Sequence, residues 1–252
     1  MTPAERHIER GGKVVLRWSG GKDSTAALYY CRKWWGHDRF FVVYVNTGDA
    51  FPEVLELAGR MRDQISNFVE VKSDQPAWIA ANGYPADIVT ARASPFGKML
   101  EESDRPKIQM HWGCCAALIW QPMSEATKRI GATLVITGQK KADTIKPPIY
   151  SGYVDEDGVE YWLPLETWTV PQVFAYLKEI GAPMLPHYGP GSHTGLDCWS
   201  CSAYVHENAG RYEWMRRKHP EKWAVLKRRL AAIYGEARSE TRLLEEAISE
   251  GD

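Results

Sequence analysis

The sequence predicts an α/β protein organised as a Rossmann-like, doubly wound, mostly parallel sheet with a C-terminal helical region. Three observations carry that expectation. Residues 13–31 read as a short apolar strand, a glycine turn and a helix. Further apolar, β-branched strands recur at 39–46, 68–71 and 133–137 with helical segments between them. From Tyr212 onward, apolar residues return at three- and four-residue steps.

In chain order, the first unit carries the turn Ser19-Gly20-Gly21-Lys22-Asp23-Ser24. Two glycines before a helix let successive N–H groups converge on an anion at the positive end of that helix. Lys22 adds a point charge, and the Ser19, Ser24 and Thr25 hydroxyls add donors. The spacing is neither GxxxxGK[ST] nor GxGxxG. The strand at 39–46 ends in Thr47-Gly48-Asp49, and Phe51-Pro52-Glu53 opens a helix to about residue 61. Residues 73–107 hold four prolines and weak periodicity, which predicts short helices and loops in a flap over the site. His111-Trp112-Gly113-Cys114-Cys115 precedes a helix through residue 129, and the strand at 133–137 ends in Gly138-Gln139-Lys140-Lys141-Ala142-Asp143. Two lysines at a strand's carboxyl end suit a polyphosphate or a sulfate; a solvated surface pair is the other reading. Residues 149–163 read as a hairpin around Asp155-Glu156-Asp157-Gly158. Thr169 is the expected N-cap of a helix at 170–180 that stops at Gly181.

Composition narrows the class. A formal charge of −1 over 252 residues gives no global argument for nucleic acid or an anionic membrane. No apolar run approaches the roughly 18 residues of a spanning helix, and the polar stretch 1–12 lacks a signal-peptide core, so a cytoplasmic location is expected. Five cysteines without an export signal favour metal or redox chemistry over disulfides. Cys114 and Cys115 are adjacent, Cys198 and Cys201 form CxxC, and Cys31 stands apart as a buried small hydrophobe. Two such pairs can close on one centre. Adjacent ligands are awkward for a tetrahedral zinc and better tolerated by a cubane [4Fe-4S] cluster, with zinc and unligated thiols as the alternatives. His111, His187 and His193 lie near these pairs, in a second shell or simply in loops.

SGGKDS after a strand resembles the PP-loop of the adenine nucleotide α-hydrolase superfamily. Within it, NTGDAFPEV is similar to the DTG-x-x-FPET stretch of the phosphoadenylyl-sulfate (PAPS) and adenylyl-sulfate (APS) reductases, with Asn46 in place of the first Asp. TGQKKAD stands where those reductases read TG-x-RR-x-D, and PLETWT resembles their PL-x-x-WT. The CC and CxxC pairs resemble the cluster motif of the APS reductases and cluster-bearing PAPS reductases. Six landmarks fall in family order across residues 13–205. The resemblance implies an adenine nucleotide α-hydrolase-like fold, with residues 1–205 as a nucleotide-binding domain carrying the cysteine pairs and 206–252 as a helical extension packed on it. It implies nucleotide contacts from Ser19, Gly20, Gly21, Lys22, Asp23, Ser24, Thr47, Gly48 and Gly138. Lys22, Asp23, Lys140 and Lys141 take the catalytic roles, and Cys114, Cys115, Cys198 and Cys201 hold a [4Fe-4S] cluster. If the nucleotide is ATP, Asp23 would position Mg²⁺.

Two departures bear on function. The reductases carry a nucleophilic cysteine in an ECGLH tail, whereas no cysteine follows Cys201 here, so the two-step covalent reduction is not expected of this chain alone. After the CC pair the APS reductases are basic, whereas Ala116-Ala117-Leu118-Ile119 is apolar. The leading expectation is therefore ATP activation coupled to sulfur transfer. Sulfonucleotide reduction and a non-catalytic nucleotide- and cluster-binding module stand as alternatives. Expected partners are ATP, APS or PAPS, a sulfur donor protein or thiol reductant, and, by the habit of the relatives, a second copy of the chain. Residues 205–250 read as two helices whose basic face (Arg216, Arg217, Lys218, Lys227, Arg228, Arg229), interleaved with Trp214 and Trp223, suits a nucleic acid backbone or, more simply, solvent.

Overall fold

The computed structural model describes residues 1–101, 104–143, 149–189, 192, 194–196 and 198–249. Its strands are β1 (Lys13–Arg17), β2 (Phe40–Asn46), β3 (Phe68–Lys72), β4 (Tyr84–Ala86), β5 (Ile108–Met110), β6 (Ala132–Ile136) and β7 (Glu160–Trp162). Its helices are α1 (Pro3–Glu9), α2 (Lys22–Tyr30), α3 (Pro52–Gln64), α4 (Gln75–Asn82), α5 (Pro95–Leu100), α6 (His111–Cys115), α7 (Gln121–Ile130), α8 (Val170–Glu179), α9 (Ala209–Lys218) and α10 (Pro220–Ser249).

Five strands form one sheet in the order β3-β2-β1-β6-β7, with every neighbouring pair parallel. Alternation along the strands feeds two cores. Val14 and Leu16 of β1, with Phe40, Val42 and Tyr44 of β2, pack against α2, α3 and α8, while Val15, Val43 and Val45 pack against Met123 and Ala126 of α7. Both faces of the central strands are thus covered by helices, which is why these strands read as unbroken apolar runs. The chain winds from β1 to β3 on one side and returns to β6 on the other. The switch point therefore lies between the carboxyl ends of β1 and β6, where sheets of this kind open a crevice.

Several elements differ from the sequence expectation. Residues 84–86 and 108–110 pair as a small parallel ladder, β4 with β5, inside the stretch expected to be helices and loops. A three-residue strand containing Pro85 leaves no readable period. Cys114 and Cys115 lie within a helix, α6, and not ahead of one. The helix then widens to a π-helical turn over Ala116–Trp120 before continuing as α7. The hairpin around Asp155 forms, with its carboxylate accepting from the Asp157 and Val159 amides and Val154 bridging Glu160 antiparallel, and the outgoing strand β7 also joins the main sheet parallel to β6. At α8 the Thr169 amide donates to Gln172 Oε1 at 2.8 Å. Tyr212, Met215 and Leu226 of α9 and α10 enter the same core as α2 and α3. No helix among the described residues is long and apolar enough to cross a membrane.

Two carboxylates tie the periphery to the sheet. Glu160 of β7 receives Arg6 at 2.6 Å and His7 at 2.9 Å from α1. Glu53 of α3 receives His219 at 2.8 Å and Trp214 Nε1 at 3.0 Å from the C-terminal helices. Burial works to raise both carboxyls, but these hydrogen bonds and charges outweigh it and hold each below its usual range. A depressed folded value adds stability that is complete above the unfolded value near 4.5 and disappears as pH falls through the folded value. Glu53→Gln should therefore cost about 1 kcal/mol near neutral pH. It should also flatten the acid limb of unfolding free energy against pH, measured in urea; an unchanged acid limb would show that Glu53 contributes nothing there.

Candidate functional site

The loop after β1 closes on itself. Gly20 has φ +82, a region that side-chain-bearing residues seldom adopt, and Gly21 is the N-cap of α2. The Ser19 amide donates to Ser24 Oγ at 3.2 Å, and Ser24 Oγ donates to Gly21 O at 3.0 Å. Thr25 is turned into the core, where its Oγ1 accepts from Trp18 Nε1 at 3.2 Å, so it does not join Ser19 and Ser24 as an anion donor. The first amide of α2, Lys22 N–H, donates to the Tyr188 hydroxyl at 2.8 Å. Tyr188 therefore reaches the helix end where an anion would be received.

The loop after β6 packs directly on this turn. A Cβ on Gly138 would lie 2.6 Å from the Asp23 carbonyl and the Ser24 amide, so only glycine permits the two loops to meet. Lys140, 1 % exposed, places Nζ 2.7 Å from Asp23 Oδ1 and 2.8 Å from Asp143 Oδ1. Burial opposes its charge, but the two carboxylates outweigh that and raise the ammonium above its usual range. Lys22 Nζ is held 2.7 Å from Asp23 Oδ2. Lys141 turns outward to Glu166 at 3.5 Å and is well exposed, so the two neighbouring lysines have separate fates and Lys141 does not reach the site.

Between these loops lies a cleft of about 400 Å³ lined by Ser19, Asp23, Ser24 and Gly138, together with Arg17, Gln139 and Asp143. The last three were not singled out from the sequence. Arg17 Nε is buried without a hydrogen-bond partner, and its guanidinium lies over the Tyr161 ring at 5.7 Å. Gly20, Gly21 and Lys22 shape the turn without lining the cleft.

A second cavity, of about 260 Å³, is lined by all four paired cysteines. Thr47 lines this cavity, with its Oγ1 3.2 Å from Cys198 Sγ, and it also lines a smaller pocket of about 70 Å³ together with Ser19 of the glycine turn. Asn46 Oδ1 accepts from the Gly48 amide at 3.1 Å, so the residue standing in place of Asp shapes the turn. Asp49, 2 % exposed, accepts from the Ser200 amide at 3.0 Å, and its own carbonyl accepts from Trp199 N at 2.9 Å. The loop after β2 thereby clamps the CxxC turn. Arg211 of α9, 1 % exposed, donates to the carbonyls of Cys198 at 3.2 Å and Cys201 at 2.7 Å. Neither Asp49 nor Arg211 was expected, since both act across a large sequence separation. Burial, and then the neighbouring Cys201, push the Cys114 thiol up to about 11. His111 lines this cavity; His187 contacts the Thr194 carbonyl at 2.8 Å; His193 lies outside the described residues.

The cysteine cavity carries unsatisfied polar atoms. Arg211 Nε, Gln75 Oε1 and His111 Nε2 are buried without hydrogen-bond partners. A buried guanidinium lining the same cavity as four cysteines fits an anionic thiolate-bound group. Among the described residues, no three His, Cys, Asp or Glu side chains gather closely enough to hold one metal ion. Ile119 and Trp120, on the π-helical turn, line both cavities. At the C-terminal helices, Arg216 covers Trp223 at 5.1 Å, Lys218 covers Trp214 at 6.0 Å, and Arg229 donates to Ser200 O at 2.8 Å, so much of the basic face is engaged within the chain.

A parallel sheet with a glycine turn at its switch point, packed on a second loop through Gly138, defines an α/β protein of the PP-loop type. Residues 13–204 match the family model described as the phosphoadenosine phosphosulfate reductase domain, and the chain belongs to that family. It is 25% identical over 183 residues to an adenosine 5'-phosphosulfate reductase of Burkholderia cepacia, covering 70% of this chain and 67% of the relative. It is 24% identical over 200 residues to a phosphoadenosine 5'-phosphosulfate reductase of Gloeobacter violaceus, covering 79% and 76%. A solved structure of phosphoadenylyl-sulfate reductase from Candida auris, a phosphate complex, shares the fold with a TM-score of 0.52 at 18% identity, covering 78% of this chain and 86% of that one.

Gly138→Ala should push the two loops apart. The expected cost is about 2 kcal/mol in urea unfolding, with weakened binding of adenine nucleotides measured by tryptophan fluorescence. Unaltered stability and binding would contradict the close packing.

Proposed function

We propose that the chain binds a sulfonucleotide, APS or PAPS, in the cleft at the switch point and supports its thiol-dependent reduction to sulfite beside a four-cysteine centre. The observation that carries this is the adjacency of the two cavities: Ile119 and Trp120 line both the cleft bounded by Ser19, Asp23 and Ser24 and the cavity bounded by the four thiols. Membership in the reductase family supports the same reading.

In this reading the N–H groups at the α2 terminus and the Ser19 and Ser24 hydroxyls hold the substrate's anionic group, while Gly138 and Gln139 bound the opposite wall. A thiolate attacks the sulfate sulfur, an S–S bond forms, and the bridging oxygen leaves with the nucleotide phosphate. A second thiol then displaces sulfite and leaves a disulfide. The four paired cysteines are given to the centre and Cys31 is buried, so in this reading both thiols come from outside residues 1–252. Cys114, Cys115, Cys198 and Cys201 would hold a [4Fe-4S] cluster, a body large enough to meet thiols that surround a volume and not a point. When bound, the cluster would supply a covalent tie between α6 and the CxxC turn and a fixed charge beside the substrate. Arg211, Gln75 and Thr47 would orient the thiolates.

One observation favours a second reading, ATP activation coupled to sulfur transfer: Ile119 and Trp120, not basic residues, line both cavities. Anaerobically purified protein should contain about four irons per chain and release sulfite from APS or PAPS with a dithiol. Cys198→Ala should lose most of the iron. Pyrophosphate release from ATP without sulfite from either sulfonucleotide would replace the first reading by the second.

A further inference from the structure

Asp23 and Asp143 stand on the two loops that meet at the switch point, and both line the cleft. Paired carboxylates at such a place are the usual means of holding Mg²⁺ on a nucleoside triphosphate. The space between them is filled by this chain's own cation. Lys140 Nζ lies 2.7 Å from Asp23 Oδ1 and 2.8 Å from Asp143 Oδ1. The remaining oxygens are engaged as well, Asp23 Oδ2 by Lys22 Nζ at 2.7 Å and Asp143 Oδ2 by the Lys140 amide at 2.8 Å. Magnesium demands oxygen ligands at roughly 2.0–2.1 Å in near-octahedral order. An ion bridging these two carboxylates would collide with the ammonium of Lys140, a residue that is 1 % exposed. Mg²⁺ therefore does not fit the residues present.

We infer that Lys140 is a built-in counter-cation occupying the place of a divalent ion between Asp23 and Asp143, so that nucleotide binding here is independent of divalent metal and Mg²⁺-completed triphosphates are selected against. The formal charges of Lys22, Lys140, Asp23 and Asp143 cancel. The bound anion is then met by the dipole and N–H groups of α2 and by serine hydroxyls, which suits the modest charge of a phosphosulfate group better than a bare triphosphate chain. The inference deepens the sulfonucleotide reading and rests on it for the choice of substrate.

The test uses the full chain, purified anaerobically, with APS and ATP binding followed by tryptophan fluorescence in EDTA and then in Mg²⁺, and Mn²⁺ binding followed by electron paramagnetic resonance. Wild-type affinities should be the same in both media, and Mn²⁺ should not be retained at the cleft. Lys140→Ala should acquire a Mn²⁺ site and bind ATP about tenfold more tightly with metal than without, while Lys140→Arg should keep the wild-type pattern. A tenfold gain in wild-type nucleotide affinity on adding Mg²⁺ would overturn the inference. So would a Lys140→Ala protein with native circular dichroism that takes up no Mn²⁺. Should Lys140→Ala fail to fold, the wild-type comparison decides alone. Metal-independent binding without any sulfite release would sink the sulfonucleotide reading and leave the role of Lys140 standing.

Discussion

A charge removed from water must be answered by another, and the switch point of this sheet is organised around that requirement. The Lys140 ammonium is enclosed by Asp23 from the loop after β1 and by Asp143 from its own loop after β6. Deleting either partner leaves an uncompensated ion in a poorly solvated place, a cost far larger than that of a surface pair. The arrangement also explains why Gly138 has no room for a side chain: the loops must approach until the backbone of one rests on the backbone of the other. Sheet order brings β1 and β6 side by side, but this contact decides the shape of the crevice.

The second cavity is assembled by a different logic. No single segment forms it. The loop after β2 contributes Asp49 and Thr47, α4 contributes Gln75, α6 two cysteines, the CxxC turn two more, and α9 Arg211. Buried polar groups that find no partner within the protein are costly unless something else satisfies them. Arg211 Nε, Gln75 Oε1 and His111 Nε2 are such groups, and all three residues line this cavity with the four cysteines. The C-terminal helices are then more than a buttress, because Arg211 fixes the carbonyls of Cys198 and Cys201.

Much of this was legible in the chain before folding, and the exceptions share a cause. The strand and glycine turn at 13–24 could be read because their signals are local: β-branched apolar residues, paired glycines, and a helix-forming run. The same is true of Thr169 and Gly181 at the ends of α8. Lys140 and Lys141 look alike in sequence, yet one is sealed between carboxylates and the other faces Glu166 at the surface; burial at a strand end has no local signature. The family resemblance implies a nucleotide contact for Thr47; that its hydroxyl also lies 3.2 Å from Cys198 Sγ depends on tertiary packing and has no local signal. Asp49 and Arg211 were missed because their partners lie on distant segments. The β4–β5 ladder was missed because three-residue strands fall below the length at which alternation can be recognised.

The helix that carries the first cysteine pair has a mechanical property of its own. From His111 to Ile130 it runs as one rod, widened over Ala116–Trp120, where the backbone bonds span an extra residue. Its cysteine-bearing turn lines the sulfur cavity, and Ile119 and Trp120 line both that cavity and the cleft at the switch point. The two chambers share a stretch of wall on the same helix that carries two of the cysteines, so a change of side-chain size at Ile119 or Trp120 alters both volumes at once.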